Sequence, residues 1–125
     1  MPVREREDVD MVDEADVRRI ARSLPETIER PSYRMPGYRV RDKLFARLRE
    51  DGESFVVWCA DEGEKHALVA AEPDKFFTTP HYDGHPVLCV RFAGIDVGEL
   101  TELLTESWRL RAPAKVRERF DAAHQ

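Results

Sequence analysis

Helix signals near both ends of the chain, with strand-like segments between them, constrain the fold more than any other feature. Asp13 stands at a helix N-cap position, with Asp16 three residues later as its capping-box partner. Asp96 and Glu99 repeat that pattern before the last third of the chain, where Pro113 suits the first turn of a final helix. This arrangement predicts an α+β fold of two layers, with the N- and C-terminal helices covering one face of an antiparallel sheet.

The middle of the chain has the pattern of short antiparallel strands joined by tight turns. The strand candidates are residues 28–35, 38–40, 44–49, 55–59 and 87–92. Pro36-Gly37 is predicted to be the turn between the first two strands, and Asp51-Gly52 the turn of a hairpin. The third candidate alternates apolar and basic residues, which predicts one apolar face and one basic edge.

Length and composition predict a single domain. The chain has 125 residues, of which 42% are hydrophobic, enough for a core without disulfides or metal. Residues 1–11 are charged and lack a pattern, so we expect a flexible N-terminal tail followed by one domain over residues 12–125. The charged start does not resemble a signal peptide, and no apolar run is long enough to span a membrane. We therefore expect a cytoplasmic protein with no membrane partner.

The charges of the chain are segregated along its length. The whole chain carries 20 basic and 25 acidic residues, a net charge of −5. Residues 30–49 carry seven basic residues and one acid, net +6, and residues 109–119 carry five and one, net +4. Residues 59–106 carry three basic and ten acidic residues, net −7. The two basic stretches predict a basic face on an acidic protein, and the alternative is that acidic and basic segments lie side by side and cancel.

Several segments are similar to a known family. They are PHYDGHPVLCVRF at 80–92, ELTELLTESWRLRAPAKVRERF at 99–120, KLFARL at 43–48, EPDKFFTTPHY at 72–82, and the first helix ending in Leu24-Pro25-Glu26. Over residues 12–120 the chain resembles the MmcQ/YjbR family. The resemblance implies the CyaY-like, or frataxin-like, α+β architecture and the family's description as predicted DNA-binding proteins with a double-wing motif. The motifs are structural rather than catalytic, and the resemblance implies no set of functional residues.

The leading functional hypothesis is DNA binding through the phosphate backbone. Arginines on a hairpin can contact phosphates, and Tyr33, Tyr38 and Phe45 lie among them and could stack on bases. The residues expected to contact the backbone are Arg39, Arg41, Lys43, Arg47, Arg109 and Arg111. The alternative is a protein–protein interaction module with an unidentified partner. The two tryptophans, Trp58 and Trp108, are expected in the core rather than in a binding site.

A metal-binding protein is a third hypothesis. His81, Asp83 and His85 share a face if this segment is extended, and two histidines with a carboxylate form a known ligand set. The prolines and glycine around them predict a loop, in which the three side chains need not converge. Both cysteines lie inside apolar runs and are expected to be buried. No catalytic motif is present, so no cofactor is expected, and an enzyme assembled only by folding stays an open alternative.

Overall fold

A computed structural model describes residues 11–124 of the protein, so most of the predicted N-terminal tail lies outside the described residues. The helices are α1 (Glu14–Ser23), α2 (Glu62–Ala71), α3 (Val97–Arg111) and α4 (Ala114–Ala123). The strands are β1 (Thr27–Ser32), β2 (Met35–Val40), β3 (Lys43–Leu48), β4 (Ser54–Trp58), β5 (Phe76–Phe77) and β6 (Val87–Arg91). Short 3-10 turns lie at Pro80–Tyr82 and Phe92–Gly94.

The strands form one antiparallel sheet in the order β1-β2-β3-β4-β6-β5. Helices α1 and α3 pack on one face of this sheet and against each other, and α4 adds Val116 and Phe120 to the same core. This confirms the predicted α+β fold, with terminal helices covering one face of the sheet. None of the described helices combines the length and the apolar run needed to cross a membrane.

The helix caps follow the sequence signals with one exception. Asp13 and Asp16 form the predicted capping box, because each side chain accepts a hydrogen bond from the other residue's backbone N–H at 3.1 Å. Asp96 caps α3 by accepting from the backbone N–H of Glu99 at 2.8 Å. The Glu99 carboxylate does not complete a second box, however. It accepts a hydrogen bond from Lys75 Nζ at 2.5 Å, because that ammonium group offers a stronger, charge-assisted partner.

The first hairpin turn lies three residues earlier than predicted. Tyr33 and Arg34 form it, with positive φ angles of 52° and 73°, and Pro36 and Gly37 lie within β2. Pro36 is paired with Pro31 of the neighbouring strand. Neither proline has a backbone N–H, so this position of the sheet leaves no donor without a partner. Glycine at position 37 allows close packing, since a Cβ there would lie 3.0 Å from both the Arg30 carbonyl oxygen and Leu44 Cδ1.

A bulge in β3 changes which residues face the helices. The register between β2 and β3 shifts after Tyr38, so Phe45 is an extra residue and both Phe45 and Ala46 are buried in the core. Tyr38 is also in the core, 1% exposed. The prediction that Tyr38 and Phe45 could stack on bases is therefore wrong. Ordinary alternation turns Tyr38 away from Arg39, and the bulge turns Phe45 into the core.

Strands β3 and β4 separate at one end, and Ser107 of α3 fills the gap between their backbones. Its Oγ accepts a hydrogen bond from the Trp58 backbone N–H at 2.9 Å and donates one to the Phe45 carbonyl at 2.5 Å. Trp108 is fully buried beside it, as predicted. The gap matters for the site because the end of α3 reaches the opposite side of the sheet there.

Candidate nucleic-acid interface on the open sheet face

The candidate site lies on the sheet face opposite α1 and α3, which we call the open face. Side-chain alternation in β4 places Phe55 and Val57 in the main core, and Val56 and Trp58 on the open face. Strand pairing carries this division across the sheet, because directly paired residues share a face. Six arginines project on the open face: Arg30, Arg39, Arg47, Arg49, Arg91 and Arg111.

Arg47 is at the centre of the open face and is 7% exposed. Its Nε donates to the Ser32 carbonyl at 2.9 Å, and its Nη2 donates to Glu50 Oε2 at 2.8 Å. The backbone N–H of Glu50, and then Arg47, hold the pKa of the Glu50 carboxyl below its usual value. Arg47 therefore holds the Tyr33-Arg34 turn against the sheet while pairing with one carboxylate.

Arg49 and Arg91 lie over the same aromatic ring. Their guanidinium carbons are 5.2 and 4.3 Å from the centroid of Phe77. Arg49 Nη1 also donates to Asp51 Oδ2 at 2.8 Å, whereas Arg91 Nη1 donates to the Pro73 carbonyl at 2.9 Å. Two cations thus share one small region of the open face, with a single carboxylate in contact.

Arg111 reaches the open face from the end of α3, through the gap beside Ser107. Its Nε donates to the Leu44 carbonyl at 2.9 Å, and its guanidinium carbon lies 4.6 Å from the Trp58 ring centroid. Burial lowers the pKa of Arg111 below that of a free arginine, although an arginine stays charged at neutral pH. Trp58 is therefore a half-buried residue of the open face and not the core residue predicted from the sequence, because alternation in β4 puts it on the same side as Val56.

Arg39 and Arg30 complete the set. Arg39 is opposite Ile28 on one side and Leu44 on the other, and its Nε is buried without a hydrogen-bond partner among the described residues. Arg30 is exposed, and its closest carboxylate is Asp42 at 3.8 Å. These two cations are the least committed to contacts within the protein.

The other residues predicted to contact DNA lie elsewhere. Arg41 forms an ion pair with Glu26, and Arg109 pairs with Asp121 of α4. Lys43 is exposed at the start of β3, opposite Val40, which faces the main core. The structure therefore brings Arg39, Arg47 and Arg111 together and leaves Arg41, Lys43 and Arg109 outside the open face.

The two sides of the sheet differ in how many of their cations pair with carboxylates. On the helix side and at the sheet ends, six cations form such pairs: Arg18–Glu29, Arg19–Asp16, Arg41–Glu26, Arg119–Glu26, Arg109–Asp121 and Lys75–Glu99. Arg117 differs from these, since it donates to the Arg109 carbonyl. On the open face, Arg91 and Arg111 donate to backbone carbonyls, which orient a guanidinium without neutralising it, whereas Arg47 donates both to a carbonyl and to Glu50. Among the described residues, three carboxylates pair with these six arginines, those of Asp42, Glu50 and Asp51, so these nine groups sum to a charge of +3.

A cleft of about 560 Å³ opens on this face between the Tyr33-Arg34 turn and the segment of residues 79–86. Its floor is aliphatic, formed by Leu44, Val56 and Val87. Its aromatic walls are the rings of Tyr33, Trp58 and Tyr82, and its polar rim is formed by Arg47, Arg49, Glu50, Thr79, His81 and His85. The cleft therefore combines aromatic surfaces with cations on its rim, which suits a planar anionic ligand.

The segment of residues 79–86 is held in place by a buried lysine. Lys65 of α2 has no exposed surface, and its Nζ donates to the carbonyls of Tyr82 and His85 at 2.7 and 2.9 Å. Burial also raises the pKa of the Tyr82 phenol. Lys65 thus fixes one wall of the cleft and adds a cation behind it without an adjacent carboxylate among its hydrogen-bond partners.

His81, Asp83 and His85 do not assemble into a metal site. No three histidine, cysteine, aspartate or glutamate side chains within residues 11–124 are placed to hold a metal ion together. His81 packs edge-on against the Tyr82 ring, with centroids 4.9 Å apart, and His81 and His85 both line the cleft without Asp83. The turn at Pro80–Tyr82 breaks the alternation that would have put the three on one face.

Sequence reasoning missed three arginines of the open face. Arg30 and Arg49 were counted within the first basic stretch but were not among the expected contacts, and Arg91 lies in an acidic segment of the chain. The signal for Arg91 was its spacing, since Val87, Cys89 and Arg91 alternate along one face of a strand. Both cysteines are buried, as predicted.

A second groove of about 590 Å³ lies between α4 and the β2–β3 turn. Pro113, Val116 and Ala122 line it, together with Arg41 and Arg119, which both contact Glu26. Its lining, as far as the structure describes it, holds no aromatic side chain, and its two arginines share the Glu26 carboxylate. This groove therefore does not have the features of the cleft on the open face.

Comparisons with known proteins agree on the family. The model of the YjbR family matches residues 22–110. This chain is also similar to three uncharacterised mycobacterial proteins: Rv2570 and MT2646 of Mycobacterium tuberculosis and Mb2600 of Mycobacterium bovis. Each is 38% identical to this chain over 122 residues, and the alignment covers 84% of this chain and 92% of the relative. The structure of this chain is similar to the crystal structure of Deinococcus radiodurans protein DR2400, which has a DUF419 domain. The two superpose with a TM-score of 0.70 over 89% of each chain at 18% sequence identity, which supports the fold. Because the family model spans most of the chain, this protein belongs to the YjbR family.

Proposed function

We propose that this YjbR protein binds single-stranded DNA across its open face, mainly through the phosphate backbone. The observation that carries the proposal is the way the arginines are held. Six of them converge on one face, and two of these, Arg91 and Arg111, are oriented by carbonyls and pair with no carboxylate among the described residues. Arg47 is held by a carbonyl and by Glu50 together. Charge of this kind attracts a polyanion even though the whole protein is acidic.

The surroundings of the arginines favour a single strand over a duplex. Tyr33 and the segment of residues 79–86 flank the centre of the open face and leave a cleft rather than a broad flat surface. A flexible strand can follow such a surface, and its unstacked bases can contact aromatic rings. The arginines that remain accessible would contact phosphates without reading sequence, so binding is expected to be nonspecific. The proposal includes a cytoplasmic location, where the protein would meet DNA.

The salt dependence of affinity tests the proposal. If the five arginines other than Arg47 each contact one phosphate, the slope of log affinity against log salt is about −3.5, a loss of about 100-fold between roughly 50 and 200 mM. Fluorescence anisotropy of a labelled oligothymidylate of about twelve nucleotides, compared with a duplex of the same length, measures both quantities.

Variants locate the contacts. Arg39→Ala and Arg30→Ala each remove a cation that is not hydrogen-bonded to a backbone carbonyl. Each variant is expected to weaken binding several-fold and to reduce the slope of log affinity against log salt by about 0.7. Arg18→Ala is the matched control, because it removes the same charge from the helix side, where Arg18 pairs with Glu29. Equal losses in all three variants, or no binding by the wild type at low salt, would refute the proposal. The second of these results would leave the open face to an acidic protein partner.

A further inference from the structure

We infer that the cleft on the open face receives one base of the bound strand, with Tyr33 as the aromatic ring that stacks on it. The inference rests on the proposed function and names the part of the ligand that enters the cleft. The chemistry required is a planar aromatic base joined to a phosphate. The volume of about 560 Å³ is in the usual range for a site that encloses a small ligand.

The backbone of Tyr33 is the first reason for this assignment. Tyr33 has a φ of 52°, and Arg34 beside it has a φ of 73°, so the two residues form a two-residue hairpin turn with both φ angles positive. Such turns strongly prefer Asn-Gly, because glycine and asparagine adopt positive φ at low cost. A bulky aromatic residue at this position is strained, and strain of this kind is concentrated at functional sites.

The exposure of Tyr33 is the second reason. Its side chain is 81% exposed, the most exposed of the large hydrophobic residues among those described, so it contributes little to the core. The backbone around it is nevertheless fixed, because Arg47 donates to the carbonyls of Ser32 and Tyr33. The ring is thus held at the edge of the cleft, with the Arg47 guanidinium carbon 5.7 Å from its centroid, and one side free for a ligand.

The opposite wall completes a stacking site. Lys65 holds the Tyr82 backbone there by donating to its carbonyl, and the Trp58 ring is covered on one side by Arg111. A base that enters between these walls meets aromatic surfaces, and its phosphate lies near the arginines and histidines of the rim. Acidic groups are sparse, since Glu50 is the one carboxylate among the lining residues. This favours an anionic nucleotide over a neutral or cationic aromatic ligand.

Substitution of Tyr33 separates the proposed role from a structural one. Tyr33→Asn is expected to raise the melting temperature by a few degrees, because asparagine relieves strain in the turn, and to weaken oligothymidylate binding about 5- to 100-fold through the lost stacking. Tyr33→Phe keeps the ring and should bind like the wild type. Asp42→Gly relieves strain in the β2–β3 turn at the other end of β2, where φ is 73°, and removes the carboxylate nearest Arg30, so it should raise stability without weakening binding.

Trp58 fluorescence reports entry into the cleft, because Trp108 is fully buried and distant from added ligand. Three probes are compared: an oligothymidylate, the same backbone with abasic sugars, and thymidine 5′-monophosphate at millimolar concentration. The inference predicts quenching by the first and third but not by the abasic backbone, and loss of quenching in Tyr33→Asn. The inference would be overturned if the abasic backbone bound as tightly as the oligothymidylate, or if Tyr33→Asn bound the oligothymidylate as tightly as the wild type. Either result would leave the proposed function standing.

The remaining outcomes are also decisive. Quenching by the mononucleotide that depends on Tyr33, without binding of any oligonucleotide, would support the cleft and overturn the proposed function. No response to any of the three probes would overturn both.

Discussion

Replacing Ser107 by alanine tests the structural feature that gives Arg111 access to the open face. The Ser107 hydroxyl group is fully buried and joins the backbones of β3 and β4 where they separate. Its removal leaves the Trp58 N–H and the Phe45 carbonyl without their partner. A buried polar group that loses its hydrogen bond costs about 1–3 kcal/mol, and the Trp58 N–H is only partly buried, so we expect a loss of about 2–4 kcal/mol.

That loss is large relative to the total stability of a domain of this size, about 6–15 kcal/mol. It corresponds to a melting temperature about 8–15 °C lower. Urea unfolding followed by circular dichroism measures the change as a lower midpoint with an unchanged slope. Ser23→Ala is the control, because that exposed serine also donates to a carbonyl, the one of Ile20 at 2.6 Å, but water can replace the bond. If Ser107→Ala costs no more than the control, the hydroxyl does not hold the two strands together.

Two further predictions concern the ionisable groups. Hydrogen bonding from Arg41 lowers the pKa of Glu26. The stability that this pair contributes should therefore be present above the ordinary glutamate pKa and be lost as the pH falls through the lowered value. We expect the difference in melting temperature between the wild type and Glu26→Gln to shrink below about pH 4, and a constant difference would contradict this. Burial raises the pKa of the Cys59 thiol to about 11 and raises the pKa of the Cys89 thiol above its usual value. A disulfide reagent at about pH 8 should therefore label these thiols at least about tenfold more slowly in the native protein than in the unfolded chain. Equal rates would show that the thiols are accessible in the native state.

The sequence predicted those parts of the fold that depend on neighbouring residues. The Asp13–Asp16 capping box needs only residues three apart, and the hairpin turn at Asp51-Gly52 needs only a residue that accepts positive φ, here Gly52 at 71°. The end of α1 at Leu24-Pro25 is equally local, because proline disfavours helical geometry in the residue before it.

The first hairpin could not be placed in this way. Tyr33-Arg34 has neither glycine nor asparagine, whereas Pro36-Gly37 matches the turn preference and lies three residues away. Two facts that involve other strands decide the position: the buried Tyr38 must face the helices, and Gly37 must leave room for Leu44. A register set by packing across strands overrides the local turn signal.

The candidate site was predictable only in part for a similar reason. The basic stretches pointed to Arg39, Arg47 and Arg111, but charge along the sequence does not show whether a cation faces a carboxylate or a carbonyl. Arg41 and Arg109 were equally good candidates and are neutralised by Glu26 and Asp121. Only the folded chain decides this, because the partners are 12 or more residues away in sequence.

The same distinction explains how a protein with a net charge of −5 can have a basic face. A carboxylate partner removes the field of an arginine beyond a short distance, whereas a carbonyl partner fixes its position and leaves its charge. Arg111 shows the effect most directly, since it reaches the open face through the gap beside Ser107 and meets a carbonyl and an aromatic ring there. The gap in the sheet therefore contributes to the charge of the open face, and the proposed function predicts that Ser107→Ala lowers both the stability and the affinity for single-stranded DNA.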